Sequence, residues 1–195
     1  MRTLSFLSIL AVVLMLQGCS SHKVKRIDTE ETIDLSGRWN DSDSRMTAEA
    51  MVDQVLTGSW VTDYPPKHNG NKPVVIVGLV YNKSHEHINA ETYIKDVERA
   101  FINSGKVRLV QAGDKREELR VERANQQEFA SPETMKKWGR GLGADFMLNG
   151  DINSIIDTYK KEKVVYYQVN LELSDLETTE IVWIGDKKIR KYIKN

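Results

Sequence analysis

The chain has 195 residues with 28 basic and 28 acidic side chains, a formal net charge of +0, and 40% hydrophobic residues. Balanced charge excludes the strongly basic surface of a nucleic-acid binder, and the length suits one domain with a real core. A single cysteine excludes an internal disulfide and a cysteine-rich metal site.

The first element is a short apolar run. Arg2 supplies a positive start, and residues 4–16 are apolar apart from Ser5 and Ser8. The run falls short of the roughly 20 residues a membrane-spanning helix needs. A positive start, a brief apolar core and small residues at the cut describe a secretory signal. It closes on Leu16-Gln17-Gly18-Cys19, a lipobox pattern that resembles the signal of bacterial lipoproteins. That resemblance implies cleavage before Cys19, a diacylglycerol on its sulfur and an acyl group on its amine. The expected organisation is a signal peptide over 1–18, a lipidated N-terminus and short flexible tether over 19–34, and a single globular domain over 35–195. The tether of about 15 residues reaches roughly 50 Å fully extended and about 20 Å as a flexible coil.

Residues 34–41 are turn-rich and carry Trp39, expected to clamp the start of the domain onto its core. A helix is predicted over 43–57, capped by Asp43 or Ser44, with Met51 or Val52, Val55 and Leu56 inward and Gly58 as its stop. Residues 59–72, with Pro65-Pro66 and Gly70, read as an exposed loop. Residues 73–81 form the strongest strand, apolar on both faces and therefore central. A second helix covers 90–103, with Ile94, Val97 and Phe101 at helical spacing, and a short strand follows over 106–110. Strand, helix, strand predicts a parallel crossover. Residues 114–129 read as a charged helix with Leu119 and Ala124 as its inward candidates. Ser131-Pro132 opens a further short helix.

The last third alternates with period two. Residues 144–159 and 163–173 predict an antiparallel hairpin through Lys160-Lys161-Glu162, with Val165, Tyr167, Val169, Leu171 and Leu173 on the buried face. A final strand is expected over 181–185, followed by a basic tail over 187–194. The fold class is α/β (α+β), a mixed sheet with a parallel crossover, C-terminal antiparallel strands and helices packed on the sheet.

No reactive constellation stands out. Gly139-Arg140-Gly141-Leu142-Gly143 follows a helix and precedes a strand, the reverse of a nucleotide-binding loop, and reads as a helix cap. His85 and His87 flank Glu86 just after the main strand, but no cluster supplies a third metal ligand. No Ser occupies a Gly-x-Ser-x-Gly elbow, and no carboxylate pair sits in an apolar setting. Trp60 and Tyr64 read as cover for the core edge, or as an exposed contact surface. No metal site is expected, and the residues offer no positive sign of a hydrolase, which stays open as an alternative.

Several stretches together carry a wider resemblance. They are Asp34-Leu35-Ser36-Gly37-Arg38-Trp39-Asn40-Asp41, Lys72-Pro73-Val74-Val75-Ile76-Val77-Gly78 and Asn82-Lys83-Ser84-His85-Glu86-His87-Ile88. Arg120-Val121-Glu122-Arg123, Ser131-Pro132-Glu133-Thr134 and Gly143-Ala144-Asp145-Phe146-Met147-Leu148-Asn149-Gly150 follow. With the lipobox, the series resembles the LpoB family of outer-membrane lipoprotein activators, with wider similarity to TolB amino-terminal and curli-export lipoprotein domains. The resemblance implies a non-enzymatic domain facing the periplasm that binds and stimulates a bifunctional class A penicillin-binding protein. It implies membrane attachment through the lipid, no nucleic acid, no small-molecule substrate and no cofactor, and carries over no partner-contact residue. The alternative is a structural or adaptor lipoprotein of an outer-membrane export or surface-assembly complex.

Overall fold

A computed structural model describes residues 24–29, 31–129 and 143–194. The described residues from Ile33 to Lys194 belong to one compact unit. Cys19, the Ser131-Pro132 helix and residues 139–142 lie outside the described residues. No helix among the described residues is long and apolar enough to cross a membrane.

Helix α1 spans Asp41–Val55, earlier than expected, because its cap is Asn40 rather than Asp43 or Ser44. Asn40 Oδ1 accepts the Asp43 N–H (3.0 Å) and Asp43 Oδ2 accepts the Asn40 N–H (2.9 Å). This reciprocal box satisfies two of the helix's orphan donors. Gly58 does not end α1, whose C-cap is Leu56; it caps a second helix, α2, over Ser59–Lys67. The predicted loop is therefore helical for most of its length. Two prolines in its last turns remove hydrogen bonds, but burial on the core offsets them. Trp60 is buried, donates Nε1–H to Val55 O (2.8 Å), and sets its ring 5.0 Å from Phe146. Tyr64 meets the same Phe146 ring edge-on at 5.7 Å. Trp60 and Tyr64 thus cover the core edge.

Strand β1 (Val74–Asn82) is followed by α3 (Ala90–Ser104), β2 (Arg108–Val110) and α4 (Gly113–Phe129), then by β3 (Phe146–Tyr159), β4 (Glu162–Asp175) and β5 (Ile181–Lys194). The sheet order is β2-β1-β3-β4-β5. β1 is parallel to both β2 and β3, whereas β3–β4 and β4–β5 are antiparallel. The mixed sheet, the parallel crossover and the long hairpin are as the patterning predicts. β1 is central, but only its first half is covered on both faces; within and after the register shift at Val77/Val80, Leu79 and Tyr81 stand exposed.

One face of the sheet carries the main core. Tyr93, Val97 and Phe101 of α3 and Met51, Val52 and Val55 of α1 pack on Val75, Val77, Leu148, Ile152 and the five alternating residues of β4. Gly150 sits within that face, where a Cβ would lie 2.1 Å from Asn170 O and 2.4 Å from Leu171 Cδ2. Asp145 ties the parallel pair together: its carboxylate accepts the Val74 N–H (2.7 Å) and its own N–H donates to Val74 O (2.8 Å). The inward candidates of α4 fail: Leu119 and Ala124 are both exposed.

The expected basic tail is instead the second half of β5. Glu162 pairs with Lys194 and the ladder continues to Ile181, with one register shift. Lys187, Ile189, Lys191 and Ile193 face the helices, while Lys188, Arg190, Tyr192 and Lys194 face outward. The partner strand β4 supplies main-chain bonds along its whole length, and this overrides the charge of the tail.

Candidate interaction surface

The strap over residues 33–40 is held by polar contacts at both ends. Lys191 Nζ, its side chain 9% exposed, lies 2.6 Å from Asp34 Oδ1 and 2.6 Å from Asp43 Oδ2, and donates to Arg38 O (3.0 Å). Burial opposes the charge on Lys191, but the hydrogen bonds and charges of Asp34 and Asp43 prevail and raise its pKa above the ordinary value. Gly37 adopts a left-handed φ of +67°, and a Cβ there would sit 2.4 Å from Ile193 Cγ1. Only glycine supplies both that conformation and that clearance. Trp39 stands edge-on to Tyr167 at 5.5 Å, which makes it the clamp expected from the sequence.

The loop after β1 meets this strap. Asn82 Nδ2 donates to Glu86 O (2.7 Å), while Asn82 Oδ1 accepts the Ser84 N–H (3.0 Å). The Glu86 carboxylate accepts the Trp39 N–H (3.0 Å) and lies 3.2 Å from His85 Nε2. His85 Nδ1 is 2.6 Å from Ser154 Oγ, whose oxygen also accepts the His85 N–H (3.0 Å). Ser, His and Glu are thus in line, but Ser154 Oγ is engaged by two groups of His85. The loop therefore pins β1 to β3 and to the strap. His87 is exposed and apart from this chain of bonds. Among the described residues, no group of three His, Cys, Asp or Glu side chains is placed to hold a metal.

The sheet face turned from the helices carries a second polar system. The β3–β4–β5 register sets Ile155, Tyr166 and Arg190 abreast, then Asn153, Gln168 and Lys188, then Asp151, Asn170 and Asp186. Tyr166 Oη donates to Gln168 Oε1 (2.9 Å), Gln168 Nε2 to Asn170 Oδ1 (2.7 Å), and Asn170 Nδ2 to Asp151 Oδ1 (2.8 Å). Lys83 Nζ closes the row on Asp151 Oδ2 at 3.0 Å. Burial works against the Asp151 carboxylate, yet the bonds from Asn170 and Lys83 outweigh it and hold its pKa below the usual value. Around this ladder Leu79, Tyr81, Ile155, Ile184 and Tyr192 are exposed. The row sets tyrosine, amide, carboxylate and ammonium groups side by side across the sheet face.

A family model described as "Peptidoglycan-synthase activator LpoB" matches residues 43–189. The chain belongs to the LpoB family. The match runs from the first turn of α1 into β5, so it spans every packed element of the domain. Similar solved structures include the LpoB C-terminal domain from Escherichia coli, at 23% identity and a TM-score of 0.45, covering 76% of this chain and 99% of that one. The LpoB C-terminal domain from Salmonella enterica gives 20%, 0.43, 76% and 99%, respectively. Lipoprotein GNA1162 from Neisseria meningitidis gives 15%, 0.41, 62% and 83%. Comparison with curated proteins gives no match.

Two features of this LpoB-family domain escaped the sequence reading. The ladder was half legible, since Tyr166, Gln168 and Asn170 alternate with the buried residues of β4; its Asp151 and Lys83 members come from other elements. The Lys191 clasp had a local signal too, because Lys191 shares the parity of Ile189 and Ile193.

Proposed function

We propose that this protein is an outer-membrane lipoprotein, anchored through Cys19, that binds and stimulates a bifunctional class A penicillin-binding protein. The observation that carries the reading is the family match over residues 43–189, whose description is an activator of peptidoglycan synthesis. The lipobox at Leu16-Gln17-Gly18-Cys19 supports the anchor. The family description, an activator, supports regulation by binding. The short tether keeps the domain within tens of ångströms of the membrane, so an inner-membrane partner is reached where it extends outward or the envelope is narrow.

Two measurements test the reading. The purified chain, added to a class A penicillin-binding protein and lipid-linked precursor, should raise glycan polymerisation and cross-linking; unchanged rates would overturn it. Cys19→Ala should release the chain from the membrane fraction with its thermal unfolding unchanged, and continued membrane fractionation would remove the anchor.

A further inference from the structure

The two edges of the sheet differ in kind. β2 closes one side with three residues, whereas β5 closes the other with 14. β4 takes the inner side of the β5 backbone throughout. No described backbone group bonds its outer side. Alternate N–H and C=O groups therefore face outward along a strand well beyond ordinary length, a template for another strand.

We propose that the outer edge of β5 receives an extended acidic segment of the partner protein as a sixth strand. The inference rests on the activator reading only for which protein supplies the segment. Its basis is charge and register. From residue 186 onward β5 carries Lys187, Lys188, Arg190, Lys191 and Lys194 against the single acid Asp186. Lys191 is turned inward and held by Asp34 and Asp43; Lys188, which meets Asp186 at 3.3 Å in an exposed pair, and Arg190 stand on the outward face. The Arg190 guanidinium lies 6.0 Å over the Tyr166 ring, which leaves its edge available to a carboxylate.

A second copy paired antiparallel about Ile189, the register that buries the longest basic stretch, sets Lys188 opposite Arg190 and Lys187 opposite Lys191, and like charges directly opposite destabilise a sheet. An added strand with acids two residues apart meets Lys188 and Arg190 on one face. Its flanking apolar side chains meet the exposed Ile184 and Tyr192. The same cations that oppose pairing about Ile189 attract such a segment. Main-chain bonds supply the affinity and the Lys188/Arg190 pair the specificity.

The test is amide hydrogen exchange on the full chain in detergent micelles. It uses a capped peptide with two Glu two residues apart and Val at the flanking positions of the same face, and a twin with Lys in place of Glu. The Glu peptide should slow exchange at alternate β5 positions between Trp183 and Arg190 by about tenfold, and the Lys peptide should not. The variant K188E/R190E should reverse that preference; both side chains are exposed, so the fold is kept. Equal protection by both peptides, no protection, or protection that grows with chain concentration alone would overturn the proposal. With the synthase present, K188E/R190E should lose most of the stimulation. Stimulation undiminished in K188E/R190E refutes the edge as the contact and leaves the activator reading standing. A wild-type chain that fails to stimulate refutes the activator reading and leaves the peptide result intact.

Discussion

Replacing Lys191 by Met removes one ammonium and keeps most of the aliphatic stem, so the change isolates the clasp. The side chain of Asp43 is 5% exposed and that of Lys191 9%, so the variant strands a buried carboxylate. Breaking such a pair by removing one partner costs about 3–5 kcal/mol. Two features move the figure within that range. Asp43 keeps the Asn40 N–H at 2.9 Å, which favours the low end. Asp34 is 49% exposed and can turn to water, so its half of the clasp adds under about 1 kcal/mol. The expected loss is about 3 kcal/mol, equivalent to about 6–12 °C in Tm for a domain of this size. Urea unfolding followed by circular dichroism measures it, with the m-value unchanged. The double variant K191M/D43N should recover part of the loss, because no buried charge is then left unpaired. The pH dependence carries a sign. The folded pKa of Lys191 is raised, so its contribution is complete below the ordinary lysine value of about 10.4 and fades as pH climbs through the folded value. Wild type and K191M should therefore converge in strong alkali. A loss under about 1 kcal/mol, or additive single losses in the double variant, would refute the buried clasp.

Gly150→Ala should destabilise the domain by about 1–3 kcal/mol in urea unfolding, because its Cβ meets Asn170 O at 2.1 Å across the β3–β4 ladder and one backbone must move. Asp151→Asn should cost roughly 1 kcal/mol at neutral pH, since Asp151 is 25% exposed on its side chain and accepts from Lys83 and Asn170. The folded pKa of Asp151 is depressed, so its contribution holds above the ordinary carboxylate range and is lost as pH falls through the lowered value. The gap between wild type and Asp151→Asn should accordingly close in strong acid. A gap that is constant with pH would assign the loss to packing.

Much of the fold was legible because burial and period coincide. β4 alternates Val165, Tyr167, Val169, Leu171 and Leu173 against polar neighbours, and all five are buried. α3 shows Val97 and Phe101 one turn apart, and both are buried. The failures share a cause as well. Residues 59–67 look like a loop by their prolines and polar residues, yet a single buried indole and the Phe146 surface make a helix there. Residues 187–194 look like a tail by charge, yet β4 offers a continuous ladder to pair with. Leu119 and Ala124 look like an inward stripe, yet both face solvent on a helix whose composition is mostly charged.

By itself, the sequence determined what depends on neighbours along the chain. These are the lipobox ending at Cys19, the α/β class, the parallel crossover, the long hairpin and the family to which the domain belongs. Such features need only local period, turn chemistry and motif spacing. Tertiary structure alone decided which polar groups meet across the sheet. Lys191 reaches back to Asp34 and Asp43, Glu86 bonds Trp39, and Asp151 gathers Lys83 and Asn170, all between residues far apart in the chain. It also decided that β5 runs to Lys194 and ends the sheet. A strand's length is set by the partner it pairs with, and an edge exists only where no described strand pairs beyond it.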